Sequence, residues 1–258
     1  MDMVSQDKDS NTVILETRSL TKDFGGLRAV NEVDFQLNRG ELMSIIGPNG
    51  AGKTTFFNLL SGHLRPTSGE VLFMGKNVRK MPAYERCRLG IGRSFQLTNI
   101  FPDLTAFENV RVAAQSLKRT FSFWSNWSKY KDVNEKADEI LNRISLYEKR
   151  DHLASTLAYG EQRYLEIGIT LATDPLVLLL DEPTSGMSPE ESRLVADFVK
   201  ELSQDVDILL VEHDMHFVMT ISDKVACLEN GTVIACESPA EIRNNSRVQA
   251  CYLREKIC

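Results

Sequence analysis

Apolar and polar positions follow two different periods along the chain. Val13 to Ser19 and Val33 to Leu37, the latter with Val33, Phe35 and Leu37 on one face, have the two-residue period of strands, and Leu42 to Ile46 reads the same way. Ile45-Ile46 runs straight into a glycine-rich turn, Gly47 to Gly52, and Lys53 to Leu60 opens a helix. Strand signals fade between about 97 and 157, where helical periods cover Thr105 to Leu117 and Val133 to Leu146. Short, nearly unbroken apolar runs return at Leu176 to Leu180 and Ile208 to Val211, the pattern of parallel strands covered on both faces. Near the end, Val225 to Leu228, Asn230-Gly231 and Thr232 to Ala235 predict a hairpin.

This order predicts an α/β core interrupted once by a helical insertion. The expected divisions are a frayed tail over 1–12, a core over about 13–96 and 158–235, a helical subdomain over about 97–157, and a short C-terminal extension over about 236–258. Nothing repeats internally and no linker separates a second unit.

Composition narrows the function without naming it. The 258 residues are 42% hydrophobic and 26% charged, close to the average for globular domains. A net charge of -6 repels nucleic acid at long range, so no nucleic-acid partner is expected. The densest apolar run, Leu176 to Leu180, stops at Asp181 and Glu182 and falls far short of a bilayer crossing. Met1 to Thr12 lacks the basic start and apolar stretch of a secretion signal. Cys87, Cys227, Cys236, Cys251 and Cys258 form no CxxC pair and are odd in number, which fits structural thiols in a reducing cytosol.

The chemistry is concentrated after the strands. Gly47-Pro48-Asn49-Gly50-Ala51-Gly52-Lys53-Thr54 satisfies the P-loop pattern, in which glycines let backbone amides curl around phosphate oxygens. In this reading Lys53 neutralises the β and γ phosphates, Thr54 offers its hydroxyl to Mg²⁺, Thr55 adds a second hydroxyl, and the helix N-terminus faces the anion. Asp181 and Glu182 place adjacent carboxylates at the end of a buried strand, the usual ligand position in α/β folds. Asp181 is assigned to hydrated Mg²⁺ and Glu182 to the attacking water. His213, in Val211-Glu212-His213-Asp214, ends the next buried strand, where an imidazole is either structural or converges on the γ-phosphate.

These motifs, in this order, resemble the ATPases of ABC transporters over nearly the whole chain. The resemblance implies a P-loop NTPase core of the RecA-like type, a parallel sheet with an antiparallel β portion and an inserted helical subdomain. Gln96, in Ser94-Phe95-Gln96-Leu97, matches the family's glutamine loop, which reaches the Mg²⁺ and the water. Leu157-Ala158-Tyr159-Gly160-Glu161-Gln162 matches the signature loop that contacts ATP bound to the opposite subunit, at the start of a helix expected over Glu161 to Thr173. Here Ala158 replaces a common serine and Glu161 a common glutamine; a carboxylate so near ATP is expected to turn away from it. Ser185-Gly186-Met187-Ser188 resembles the dimer-coupling loop, with Ser188 where aspartate is commoner. Phe24 matches the aromatic position that stacks on adenine, the other reading being a core phenylalanine.

The resemblance further implies ATP and Mg²⁺ as cofactors and a second ATPase subunit, identical or a sister chain, as partner. Integral membrane permease subunits, an indirectly engaged solute-binding protein and a place on the cytoplasmic face of the inner membrane follow from it too. Phe24 to Val30, Leu89 to Phe95 and Val211 to Met215 are most similar to importers of branched-chain amino acids, with urea and short-amide importers as near relatives. The alternative class is a soluble ABC-type ATPase of DNA repair or translation. Phe121 to Trp127, four aromatics among lysines and arginine, either dock on a membrane partner or pack within the helical insertion.

Overall fold

The computed structural model describes residues 12–94, 100–117 and 131–255. Two sheets form its frame. The first is antiparallel, in the order β2 (Leu27–Asn38), β1 (Val13–Phe24), β4 (Ser68–Phe73), β5 (Lys76–Asn77). The second runs β10 (Thr232–Glu237), β9 (Lys224–Glu229), β3 (Leu42–Ile46), β8 (Asp207–Val211), β7 (Val177–Asp181), β6 (Ile91–Arg93). Its pairs from β9 to β6 are parallel, and β10 is antiparallel to β9.

All residues of β3, β7 and β8 are buried, as their unbroken apolar runs require. Successive side chains on a strand point to opposite faces, and here the two faces feed different cores. Leu42, Leu178, Leu180, Ile208 and Leu210 pack into a cluster with helical residues such as Val110, Ile140 and Leu165. Met43, Ile45, Leu179, Leu209 and Val211 face the other way, towards Leu15, Phe35 and Phe56. In β2 the expected face of Val33, Phe35 and Leu37 is the buried one.

The helices are α1 (Lys53–Ser61), α2 (Ala83–Leu89), α3 (Ala106–Ser116), α4 (Lys131–Arg143), α5 (Tyr159–Leu171), α6 (Pro189–Leu202), α7 (Met215–Ile221), α8 (Pro239–Asn244) and α9 (Ser246–Glu255). Thr105, expected inside a helix, is instead the N-cap of α3: its side chain accepts from Glu108 N while Glu108 returns to Thr105 N. The second expected helix, α4, covers Lys131–Arg143 among the described residues and ends three residues short of Leu146, and Ser145 takes a left-handed φ of 57°. The helix expected from Glu161 starts at Tyr159, which puts Gly160 in its first turn. Asn230 and Gly231 both have positive φ, as a two-residue hairpin with this dipeptide demands.

Candidate active site

The loop after β3 is shaped by crowding from outside. A Cβ on Gly47 would lie 2.2 Å from Leu228 O of β9, and one on Gly52 would lie 2.3 Å from Ala29 O of β2. Only glycine fits there, and the loop is pressed between two strands. Gly50, with φ of 78°, has open space beside it. Lys53 is 9% exposed, and its Nζ donates to Gly47 O at 2.6 Å and Pro48 O at 3.0 Å, so the cation sits inside the curl.

Helices α3, α6 and α8 each carry a Ser or Thr N-cap answered by a glutamate three residues on. Among the described residues α1 has neither a side-chain cap nor an acidic residue in its first turn. The positive end of its dipole is directed at the loop and met by no local carboxylate, the arrangement that favours a bound anion. Thr54 in that turn is exposed and Thr55 half-buried.

The neighbouring strand ends supply acids. Asp181, the last residue of β7, is 2% exposed, and Arg93 Nη2 donates to its Oδ2 at 2.9 Å. Burial pushes its carboxyl above the usual aspartate range and Arg93 acts in the opposite sense. Glu182 follows with a φ of 48°, its N–H donating to Val211 O at 2.9 Å. That hydrogen bond ties the end of β7 to the end of β8. Glu212, fully buried just after β8, accepts from Thr184 N at 3.0 Å, Thr184 Oγ1 at 2.5 Å and His213 N at 2.9 Å. Its carboxylate therefore locks the turn after Glu182 to His213, whose ring is 65% exposed with Nδ1 3.6 Å from Glu212 Oε2.

One cavity of about 1050 Å³ brings Gly47, Asn49 and Lys53 together with Glu182 and His213. Its far wall is formed by α7 to α9 through Met215, Met219, Arg243 and Tyr252. Thr54, Thr55 and Asp181 are not among its lining residues. Phe24 is outside it too, at the β1–β2 turn, 46% exposed with Lys22 Nζ 4.9 Å from the ring centroid, so it is not a core residue. Gln96 and the Phe121 to Trp127 segment lie outside the described residues.

The remaining candidate loops meet each other. Tyr159 Oη donates to Ser185 O at 3.0 Å, and the ring lies about 3.5 Å from where a Cβ on Gly186 would stand. Glu161 turns back on its own helix end, accepting from Ala158 N at 3.1 Å and from Lys149 Nζ at 2.5 Å; the lysine hydrogen bond foremost lowers its pKa. The carboxylate is thus folded away from the face in front of Gly160. Gln162 donates to Ala154 O and to Leu157 O, bracing the segment before the helix. Met187 packs against the helical core, and Ser188 is the N-cap of α6. An N-cap accepts serine as readily as aspartate, which accounts for the departure at Ser188. Sequence reasoning gave no role to Arg93 or Glu212; each lies inside a recognised stretch, yet its partners are remote in the chain.

A glycine-rich loop between a parallel strand and a helix, with acids and an imidazole at the ends of the next two strands, defines a P-loop nucleotide-binding protein. The profile of the family described as ABC transporter matches residues 30–185. The chain is 41% identical over 253 residues to the high-affinity branched-chain amino acid transport ATP-binding protein LivG of Escherichia coli (strain K12), covering 94% of this chain and 98% of that protein. It is 39% identical over 251 residues to the corresponding BraF of Pseudomonas aeruginosa, with 94% and 98% covered. The ADP conformation of MJ1267, an ATP-binding cassette of an ABC transporter, superposes with a TM-score of 0.83 at 30% identity, over 93% of this chain and 98% of that one. The chain belongs to the ABC transporter ATPase family. It is an ATP-hydrolysing subunit with an ABC ATPase fold. Among the described residues no helix is long and apolar enough to cross a membrane.

Proposed function

We propose that this chain drives transport of a small polar solute, most closely branched-chain amino acids and next urea or short amides, through separate membrane permease subunits. It acts as one half of a dimer, identical or mixed, at the cytoplasmic face of the inner membrane, with a solute-binding protein delivering cargo. The observation that carries the reading is the cavity shared by Gly47, Asn49, Lys53, Glu182 and His213. The cargo follows from the names of LivG and BraF.

Gly47 to Thr55 wrap the phosphates, with Lys53 against the β and γ groups and the α1 N-terminus behind them. Phe24, exposed on its turn, stacks on the adenine. Glu182 accepts a proton from the attacking water, and His213, held through Glu212, steadies the water and the transferring group. The signature loop, Leu157 to Gln162, meets the other subunit's ATP, and Ser185 to Ser188 carry the consequence between the two sites. Gln96 is assigned to the water and the metal.

The donors available to a metal beside the nucleotide helix are oxygens, Thr54 Oγ1 and the Asp181 carboxylate, a set that suits Mg²⁺. Among the described residues no group of three or more His, Cys, Asp or Glu could hold an ion, so such a site is completed by nucleotide and water oxygens. When bound, Mg²⁺ neutralises charge on the phosphate oxygens. Closure around ATP shifts the dimer because the nucleotide binds the closed form more tightly, and loss of the γ-phosphate releases it.

Replacing Glu182 with Gln is expected to leave ATP binding intact and cut turnover by about a hundredfold or more. Unimpaired hydrolysis overturns the assignment. Affinity purification from native membranes is expected to recover hydrophobic permease subunits and a solute-binding protein. Ribosomes or DNA in their place would favour a soluble ATPase.

A further inference from the structure

Arg93 closes β6, three positions before Gln96, and no motif gives it a role. Its side chain is 7% exposed and joins two elements. Nη2 donates to Asp181 Oδ2 at 2.9 Å, while Nη1 donates to Asn58 Oδ1 at 2.6 Å and Ser61 Oγ at 2.9 Å. The guanidinium lies 5.8 Å from the Phe57 ring centroid, and the Arg93 carbonyl accepts from Thr170 Oγ1 of α5 at 3.5 Å. At the preceding residue a Cβ on Gly92 would lie 2.8 Å from Thr170 Cγ2, so this end of β6 is pressed onto α5.

Thr54, Asn58 and Ser61 are spaced i, i+4 and i+7 and share one face of α1. That face presents the Thr54 hydroxyl at its start and grips Arg93 one and two turns later. A guanidinium is planar and rigid, so fixing one amino group on α1 fixes the direction of the other. We propose that Arg93 is a positioning residue: it holds the Asp181 carboxylate in register with Thr54 across the gap between β7 and α1, and so sets how much Mg²⁺ strengthens nucleotide binding. The inference rests on the proposed roles of Asp181 and Thr54 as metal donors.

A purely structural ion pair would lower the melting temperature and leave the metal response alone, which gives the test. Binding of a fluorescent ATP analogue to the whole chain is followed in EDTA and then across a MgCl₂ titration. For Arg93→Met the affinity in EDTA stays within about twofold of the unsubstituted chain, and half-saturation by Mg²⁺ rises by about ten- to a hundredfold, the range for groups that orient metal ligands. Arg93→Lys keeps the charge without the fork and is expected to recover only part of the loss. Asn58→Ala leaves the ion pair in place but loosens its anchor, moving the half-point in the same direction by a smaller factor.

An unshifted Mg²⁺ half-point in folded Arg93→Met overturns the proposal. If that variant does not fold, an unshifted half-point in Asn58→Ala does so instead. An unsubstituted chain that binds ATP equally with and without Mg²⁺ overturns the metal assignment of Asp181 and Thr54 first, and this inference with it.

Discussion

Glu212 should be worth more to this protein than its lack of an assigned role in the sequence motifs implies. Its carboxylate is fully buried and satisfies Thr184 N, Thr184 Oγ1 and His213 N, with Asp214 N at a longer 3.4 Å. Replacement by Ala strands these donors. Those of His213 and Asp214 lie near solvent and can rehydrate, whereas Thr184 is 6% exposed and its two donors cannot. At about 1–3 kcal/mol for each buried donor left unsatisfied, the loss is about 4 kcal/mol, or about 10 °C in melting temperature for a chain of this size. Replacement by Gln keeps the shape and one acceptor oxygen. Its oxygen can keep both Thr184 donors while its amino group faces the N–H groups of His213 and Asp214, which turn to water, so the loss is smaller than for Ala, about 1–3 kcal/mol. Thermal melts of both variants, with ATP turnover measured well below the transition, separate stability from function. Turnover is expected to fall in both, because the carboxylate registers the turn after Glu182 against His213. An Ala variant melting within about 2 °C of the unsubstituted chain would refute the reasoning.

Acid is expected to weaken the fold through its helix caps. Thr105 N holds Glu108, Ser188 N holds Glu191, and the Ser238 side chain foremost holds Glu241, each carboxyl kept below its ordinary value of 4.5. Stability from these groups is present above that value and lost as pH falls through the lower folded-state values, so urea midpoints should decline from about pH 4.5 downward; a flat profile there contradicts it. Thiol labelling should separate the described cysteines: Cys227 and Cys251 are buried, burial pushes the Cys227 and Cys236 thiols up, and Cys87 should react first in the native protein, as read by peptide mass spectrometry. Early labelling of Cys227 would show that the contact between β9 and α9 opens readily.

The parts legible in the sequence are those whose meaning is contiguous. Gly47 to Thr54 match the phosphate-loop pattern within eight positions, and Asp181-Glu182 follow a short apolar run with the pattern of a buried parallel strand. The hairpin at Asn230-Gly231 was equally local. What escaped depends on distance along the chain. Arg93 finds Asn58 35 positions back and Asp181 88 positions ahead, and Glu212 finds Thr184 28 positions back. Nothing in the immediate neighbours of either residue encodes those meetings. Helices α8 and α9 escaped for another reason: they are short, and each buries only a narrow apolar stripe through Ile242, Val248 and Cys251. They nonetheless form one wall of the cavity. The tether from Tyr159 to Ser185 was hidden because it joins two loops recognised separately.

The left-handed backbone at Glu182 has a consequence for anyone who selects variants of this protein. A side chain with a Cβ is held there against a preference of about 1–2 kcal/mol, while glycine or asparagine adopts that conformation readily. The residue proposed to activate water thus occupies a position where the backbone would favour an inert one. A campaign that ranks variants by heat resistance alone would enrich replacements at 182 and return a sturdier protein that binds ATP and keeps it.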